Sequence, residues 1–224
     1  MIKISDLSFR YPRSDFELTI PALRLEPGER VAVVGPSGTG KTTLLNLIAG
    51  ITVPDAGTIH LGCDHVTGAT DAARRALRAA RIGFVFQDFA LLEYLSAREN
   101  ILFPYRIAAG ANIDAAARAR AEDLAKSCGL SGKLDRKPGA LSQGEQQRVA
   151  LCRALIMQPA LVLADEATGN LDPANKAAIL DLLFERTRDH NATLLAVTHD
   201  HELLPRFDRV IDFAIFRHRT GEPA

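Results

Sequence analysis

Gly35-Pro36-Ser37-Gly38-Thr39-Gly40-Lys41-Thr42 is the stretch of sequence that decides the fold. It follows a short apolar run, Arg30 to Val34, which predicts a strand, and it opens onto Lys41 to Ala49, where apolar residues recur at helical spacing. The stretch fits the pattern GxxxxGK[ST], whose glycines let backbone N–H groups surround phosphate oxygens at a helix N-terminus. We therefore predict a phosphate-binding loop. The alternative, a plain glycine-rich turn, does not explain the strand and helix on either side.

The residues of the loop have different expected roles. All eight, and Thr43 after them, are predicted to contact a nucleotide. Lys41 should reach the β- and γ-phosphates, and Thr42 should bind the Mg²⁺ ion that accompanies the nucleotide.

Two carboxylates follow a second apolar run, Leu161 to Ala164. Open α/β sheets bind ligands beside the carboxyl ends of their strands, where Asp165 and Glu166 should lie. Taken alone, two acidic residues after a strand more often belong to a solvent-exposed turn than to a functional site. Because the chain also has a phosphate loop, we predict that Asp165 holds Mg²⁺ through water and that Glu166 orients and deprotonates the attacking water.

A third motif, Leu141 to Arg148, places Ser142 where a helix should begin. Ser142 is a natural N-cap, and Glu145 three residues later completes the capping-box pattern. Taken alone, this is an ordinary helix start. The free N–H groups and partial positive charge of a helix N-terminus make an anion-binding site the alternative.

Strands alternate with helices along the rest of the chain. Opening strands at Ile2 to Tyr11, Phe16 to Leu25, Arg30 to Val34 and Thr58 to Leu61 predict a small antiparallel sheet. Later strands, each covered by helices, predict a parallel sheet with helices on both faces. These later elements are strands at Ile82 to Phe86, Leu161 to Ala164 and Thr193 to Thr198, and helices at Ala97 to Ile107, Asp114 to Cys128, Gly144 to Met157 and Pro173 to His190.

The composition limits the possible partners. Lys plus Arg and Asp plus Glu both number 27, so no basic field attracts a nucleic acid, and we expect none as a partner. The start of the chain lacks the apolar run of a signal peptide, and no stretch approaches the roughly 18 apolar residues of a membrane span. We expect a cytoplasmic protein for which another chain supplies any span.

The three cysteines, Cys63, Cys128 and Cys152, lack CxxC spacing. We expect free buried thiols and, apart from Mg²⁺ carried with the nucleotide, no metal site.

The order of these motifs resembles the nucleotide-binding subunit of ATP-binding cassette (ABC) transporters over residues 1 to 212. It comprises the phosphate loop, Gln87, Leu141 to Glu145, Leu161 to Glu166, Asn170-Leu171-Asp172 and Thr198-His199-Asp200. The stretches Glu93 to Asn100 and Ala167 to Asp172 look most like the lipoprotein-releasing and macrolide-exporter branch.

The resemblance implies an α/β fold of the P-loop NTPase (RecA-like) type. It has a parallel sheet core, an N-terminal antiparallel β subdomain and an inserted α-helical subdomain. Residues 1–224 then form a single ABC ATPase domain, with 1–88 and 159–224 as the nucleotide-binding core and 89–158 as the helical subdomain.

The resemblance also implies ATP and Mg²⁺ as cofactors and further site residues. Tyr11 is expected to stack on adenine and His199 to touch the γ-phosphate. Gln87 is expected to contact Mg²⁺ or the attacking water and to sense a membrane partner. With Lys41 and Glu166, Gln87 and His199 form the expected catalytic set.

Two subunits of the family assemble head to tail, so Ser142 and Gly144 of one chain cap the γ-phosphate held by the other. Gln143 and Glu145 belong to the same contact segment, and Asp172 is expected to act across the dimer interface. Gln143 departs from the family, which usually has glycine there, and so could crowd the partner's nucleotide. Ala167 replaces a proline, which should have a modest effect, and the tail from Ile211 to Arg219 lacks the family's usual Asp-Gly turn.

The main hypothesis is an ABC-type ATPase that homodimerises around two ATP and drives a separate integral membrane permease. It would lie on the cytoplasmic face of the inner membrane and export or extract lipids, lipoproteins, peptides or drugs. The alternatives are a non-transport or regulatory ABC ATPase of the cell-division type and, third, a simple kinase, which would not explain Leu141 to Arg148.

Overall fold

The computed structural model describes residues 1–13, 15–167 and 173–216. They form two sheets and a group of helices. The strands are β1 (Ile2–Arg10), β2 (Glu17–Leu25), β3 (Arg30–Val34), β4 (Ala56–Leu61), β5 (Asp64–His65), β6 (Ile82–Val85), β7 (Leu161–Asp165), β8 (Thr193–Val197) and β9 (Arg209–Asp212). The α-helices are α1 (Lys41–Ile48), α2 (Asp71–Arg81), α3 (Ala97–Ile107), α4 (Ala115–Ser127), α5 (Gln143–Leu155) and α6 (Pro173–Asp189), and short 3₁₀ helices cover Pro138–Ala140, His201–Arg206 and Phe213–Phe216.

The N-terminal sheet is antiparallel, in the order β2-β1-β4-β5. The second sheet is parallel, in the order β6-β7-β8-β3-β9. Because β3, β8 and β7 run parallel and adjacent, the turns that follow them lie at the same edge of the sheet. The predicted combination of an antiparallel sheet with a helix-covered parallel sheet is confirmed, but β3, which we grouped with the opening strands, belongs to the parallel sheet.

The parallel strands are buried on both faces, so their residues divide between two cores. Val31 and Val33 of β3 pack with α1 and the antiparallel sheet. Ala32, between them, faces the core formed with α3 to α6. This alternation follows from the two-residue period of a strand. The parallel sheet is therefore a central layer, with α1 and the antiparallel sheet packed on one face and α3 to α6 on the other.

Helices α3, α4 and α5 pack against one another in the middle of the chain, where we predicted a helical insertion. Alanines on α4, Ala117, Ala121 and Ala125, are buried in their shared core and allow close packing. The exact division into 1–88 with 159–224 and 89–158 stays a prediction.

Several elements differ from the sequence-based expectations. Helix α2 was missed because it is rich in Ala and Arg and none of its residues is buried, so no apolar stripe marks it. The edge strand β9 was also missed, and α5 begins at Gln143 rather than Gly144. The expectation of three buried thiols was wrong for Cys63, which is exposed on the β4–β5 turn. Cys128 and Cys152 are buried, with their Sγ atoms 3.1 Å apart.

None of the helices in the described residues has both the length and the apolar character needed to cross a bilayer.

Candidate nucleotide-binding site

The loop from Gly35 to Gly40 joins β3 to α1 through three glycines with positive φ angles. Gly40 has φ 102°, and a side chain there would place its Cβ 2.6 Å from the ring of Phe16. Both the backbone angle and the packing therefore require glycine at this position. The loop ends at the N-terminus of α1, which is the geometry predicted for a phosphate site.

Lys41 lies across the loop that precedes it. Its Nζ donates to the carbonyl oxygens of Gly35 and Pro36, each at 2.8 Å, and the residue is 6% exposed. Burial lowers the pKa of Lys41, and the carboxylates of Glu166 and Asp165 oppose that shift. An ammonium group has three donors, so among the described contacts one remains for a phosphate oxygen.

Asp165 ends β7 with its carboxylate beside α1. It is 4% exposed, and burial raises its pKa, while a hydrogen bond from the Thr42 hydroxyl acts in the opposite direction. Register pairing sets Asp165 opposite Val197, so it lies at the edge of the sheet that carries the loop. Thr42 and Asp165 are thus adjacent, as predicted.

Glu166 turns out of the strand with φ 48°, a left-handed conformation, while its N–H donates to the Val197 carbonyl at 3.1 Å. The turn directs its carboxylate toward His199, whose Nε2 lies 2.7 Å from the Glu166 Oε1. Two predicted catalytic residues from separate strand ends are therefore in direct contact.

These groups surround a cleft of about 480 Å³. Tyr11 borders it, with its hydroxyl 3.2 Å from the Thr43 Oγ1 and its ring 4.7 Å from that of Phe9. The structure brings together in this lining the predicted residues Tyr11, Ser37, Gly38, Gly40, Lys41, Thr42, Thr43, Gln87, Glu166 and His199, together with Phe16. Gly35, Pro36 and Thr39 belong to the same loop, where the Thr39 Oγ1 donates to the Pro36 carbonyl.

The described lining of this cleft does not include Ser142, Gln143, Gly144 or Glu145. Ser142 caps α5: its Oγ accepts from the N–H of Glu145 at 3.3 Å, and the Glu145 Oε2 accepts from the N–H of Ser142 at 2.9 Å. Lys133 pairs with Glu145 and, with the capping bond, lowers the pKa of that carboxyl group. The capping box is confirmed, and the anion-binding role stays a prediction. Asp172, with the whole stretch 168–172, lies outside the described residues, as does the tail beyond Phe216.

Phe16 and Phe213 support the loop, and sequence reasoning missed both. Phe213 is fully buried, and its Cβ would lie 3.3 Å from a Cβ built on Gly35. The ring of Phe16 packs against Gly40. No local pattern marks either residue, because each meets the loop only through the tertiary fold. Phe213 also supplies the packing of the C-terminal region that the missing Asp-Gly turn left open.

The cleft suits Mg²⁺ carried with a nucleotide. The Thr42 hydroxyl and the Asp165 carboxylate offer adjacent hard oxygen donors, and Gln87 faces the same space. The described residues contain no cluster of three or more His, Cys, Asp or Glu side chains that could hold a metal ion by themselves. Mg²⁺ does not need one, since it keeps several waters and binds substrate phosphates.

A phosphate loop facing strand-end carboxylates on a parallel sheet defines a P-loop ATPase core. The chain belongs to the ABC transporter family, whose model matches residues 18–169, and it is an ATP-binding, ATP-hydrolysing member. Family membership sets aside the simple-kinase alternative.

Similar proteins include ATP-binding subunits of lipoprotein-releasing and macrolide-export systems. The lipoprotein-releasing system ATP-binding protein LolD of Jannaschia sp. (strain CCS1) is 47% identical over 191 residues, covering 84% of this chain and 82% of LolD. The macrolide export ATP-binding/permease protein MacB of Rhodopirellula baltica is 41% identical over 214 residues, covering 94% of this chain and 31% of MacB. The resemblance to the lipoprotein-releasing and macrolide-exporter branch is confirmed.

A solved structure shares the fold. The ATP-binding cassette MJ0796, in a dimeric post-hydrolysis state bound to ADP and phosphate, has a TM-score of 0.87 and 32% identity, covering 95% of this chain and 94% of that one.

Proposed function

We propose that two copies of this chain close around two ATP molecules and drive a separate membrane permease that extracts or exports lipoproteins or other amphipathic molecules. The observation that carries the proposal is a site that is only partly built in one chain. The loop, Glu166 and His199 line a cleft, with Asp165 buried beside Thr42, but the capped N-terminus of α5 is not part of that lining. A second copy in head-to-tail arrangement supplies that end.

The residues of the cleft have different proposed roles in ATP hydrolysis. Lys41 and the loop N–H groups hold the β- and γ-phosphates, and Thr42, Asp165 and Gln87 are placed to hold Mg²⁺, which neutralises phosphate charge when bound. Glu166 accepts a proton from water as the water oxygen attacks the γ-phosphorus and the bond to the β-phosphate oxygen breaks. Tyr11 offers its ring to the adenine.

His199 links the γ-phosphate to the base. Its Nε2 already contacts Glu166 at 2.7 Å, and it projects into the same cleft. When ATP is bound, we assign this ring N–H to a γ-phosphate oxygen, which leaves the Glu166 carboxylate free to accept the proton of the attacking water.

The N-terminus of α5 caps the partner's γ-phosphate. An exposed helix N-terminus presents N–H donors and about half a positive charge. Ser142 and Gln143 are both exposed, so they are free to meet a second copy. The Gln143 side chain would lie next to that nucleotide, and we assign Asp172 to the same interface.

The permease docks in an apolar groove of about 470 Å³ on the other side of the Gln87 segment. This groove contains Ala90 and Leu92, which closely follow Gln87, the residue expected to sense a membrane partner. Its other apolar members are Ala79, Ile82, Phe84, Phe86, Phe103, Pro104, Ile107, Ala154 and Met157. Docking here would hold the chain at the cytoplasmic face of the inner membrane.

The competing function is a non-transport or regulatory ABC ATPase of the cell-division type, which would dimerise through the same cleft with little hydrolysis. Its membrane or soluble partner would differ, so identifying the partner separates the two.

The test is to tag the chain in its native cell, solubilise membranes gently and identify what co-purifies with it in the presence of ATP. We expect a polytopic membrane protein whose exported domain handles lipid-modified or amphipathic molecules. Recovery of soluble partners alone would reject the transport role and favour the regulatory one.

A further inference from the structure

Residues Gln87 to Ala90 connect the nucleotide cleft to the apolar groove through a backbone that few sequences adopt. Phe89 and Ala90, in succession, have φ angles of 62° and 45°. Neither is glycine, and L-residues rarely occupy this left-handed region. Something outside the segment must therefore hold it.

Arg153 of α5 makes that contact. Its two terminal nitrogens donate to the carbonyl oxygens of Ala90, at 2.6 Å, and of Phe89, at 2.5 Å. Burial lowers the pKa of Arg153, and the carboxylate of Asp88 acts against this shift. The planar guanidinium holds two donors in a fixed fork, which matches two consecutive carbonyls in a way that a flexible ammonium does not.

The contact lies between three parts of the molecule. Gln87, two residues before Phe89, lines the nucleotide cleft. Ala90 and Arg153 both line the apolar groove. Arg153 also lies on the helix whose first turn carries Ser142.

We propose that Arg153 is a positioning residue for ATP hydrolysis. Its fork fixes Phe89 and Ala90 in the left-handed conformation that directs Gln87 into the cleft. The inference rests on the role proposed for Gln87. It predicts an effect on turnover rather than on ATP affinity, because the loop and Tyr11, which hold the nucleotide, do not contact Arg153 in the described structure.

The first measurement compares Arg153→Met with Arg153→Lys in the purified full-length chain. We expect unchanged KM and ATP Kd with a kcat about 10- to 100-fold lower, the usual cost of misplacing a catalytic group. Lysine should restore little, because it keeps the charge but loses the fork. Arg74→Met is the matched control: Arg74, like Arg153, is partly buried and donates to a loop carbonyl, that of Ala69 at 2.6 Å, away from the cleft. It should leave kcat unchanged.

A double-mutant cycle with Gln87→Ala tests whether Arg153 acts on turnover through Gln87. If Arg153 acts through Gln87, Arg153→Met should lower kcat far less in the Gln87→Ala background than in the wild type. If Arg153→Met lowers kcat by the same factor in both backgrounds, the role of Arg153 would be overturned and the proposed role of Gln87 would stand. An unaffected kcat in Gln87→Ala would overturn it together with the proposed role of Gln87.

Glycine at position 90 provides a rescue test. Glycine adopts positive φ readily, so Ala90→Gly should recover part of the kcat lost in Arg153→Met. A merely structural arginine predicts no recovery, and that result would count against the proposal. If Arg153→Met does not fold, the cycle and the rescue are run with Arg153→Lys.

Discussion

Asp165 and Glu166 are adjacent carboxylates with different surroundings. Asp165 continues β7, so its side chain is buried and receives a hydrogen bond from Thr42. Glu166 leaves the strand with φ 48°, and its side chain remains 25% exposed and in contact with His199. Different environments for two neighbouring acids allow different roles. Here they support the proposed roles of metal binding for the first residue and proton transfer for the second.

Replacement of the proposed base tests that assignment. Glu166→Gln should keep ATP binding, because the amide preserves shape and the phosphate contacts lie elsewhere. It should lower turnover by about 10²- to 10⁴-fold, the usual contribution of a positioned base. Nucleotide binding and steady-state phosphate release measure the two effects. Glu202→Gln, at a neighbouring exposed glutamate, is the control, and near-normal turnover in Glu166→Gln would reject the role.

At the scale of the element, two helices begin with the same local device. α3 starts with Ser96 and Glu99, and α5 with Ser142 and Glu145, each pair forming a complete capping box. Helix-start rules alone cannot tell the two apart. Their further contacts differ: the Ser96 Oγ also donates to the Glu99 carboxylate, whereas the Glu145 carboxylate pairs with Lys133.

Alanine substitution at each N-cap serine distinguishes an effect on stability from an effect on ATP hydrolysis. Ser96→Ala and Ser142→Ala should each cost about 1 kcal/mol of unfolding free energy and lower Tm by about 2–4 °C. Only Ser142→Ala should weaken ATP-dependent dimerisation and turnover, by about tenfold, the worth of a hydrogen bond to a charged group. Calorimetry and size-exclusion chromatography with ATP provide the readings. Equal turnover in the two variants would reduce Ser142 to an ordinary cap.

At the scale of the whole molecule, the central sheet joins a nucleotide cleft to an apolar groove. The cleft forms at the carboxyl ends of β3 and β7, and the groove forms where β6, α2, α3 and α5 meet. The 87–90 segment belongs to both. A partner that fills the groove therefore contacts the backbone that carries Gln87.

A charge placed in the groove should separate ATP binding from partner binding. Ile107 lines the groove and is 60% exposed, so Ile107→Glu should fold normally and bind ATP with unchanged affinity. We expect it to lose ATP-dependent co-purification of the membrane partner, because removing a carboxylate from water at an apolar contact is costly. Ile215→Glu, at a position 71% exposed outside the groove, should retain the partner. Loss of ATP binding in Ile107→Glu would contradict the docking assignment.

The sequence alone determined the features that obey local rules. The phosphate loop, the strand that ends in Asp165 and the capped start of α5 follow from glycine conformations, apolar runs and capping preferences within a few residues. Tyr11, Gln87 and His199 carried no local signal, and only the family resemblance pointed to them.

The tertiary structure decided what depends on contacts between distant segments. Helix α2 stays on the surface without a buried stripe, and Phe16 and Phe213 reach the loop from positions before and long after it. Arg153 meets Phe89 and Ala90 across about 60 residues of chain. Close packing and paired hydrogen bonds between such segments arise only when the whole chain has folded, so no local pattern can encode them.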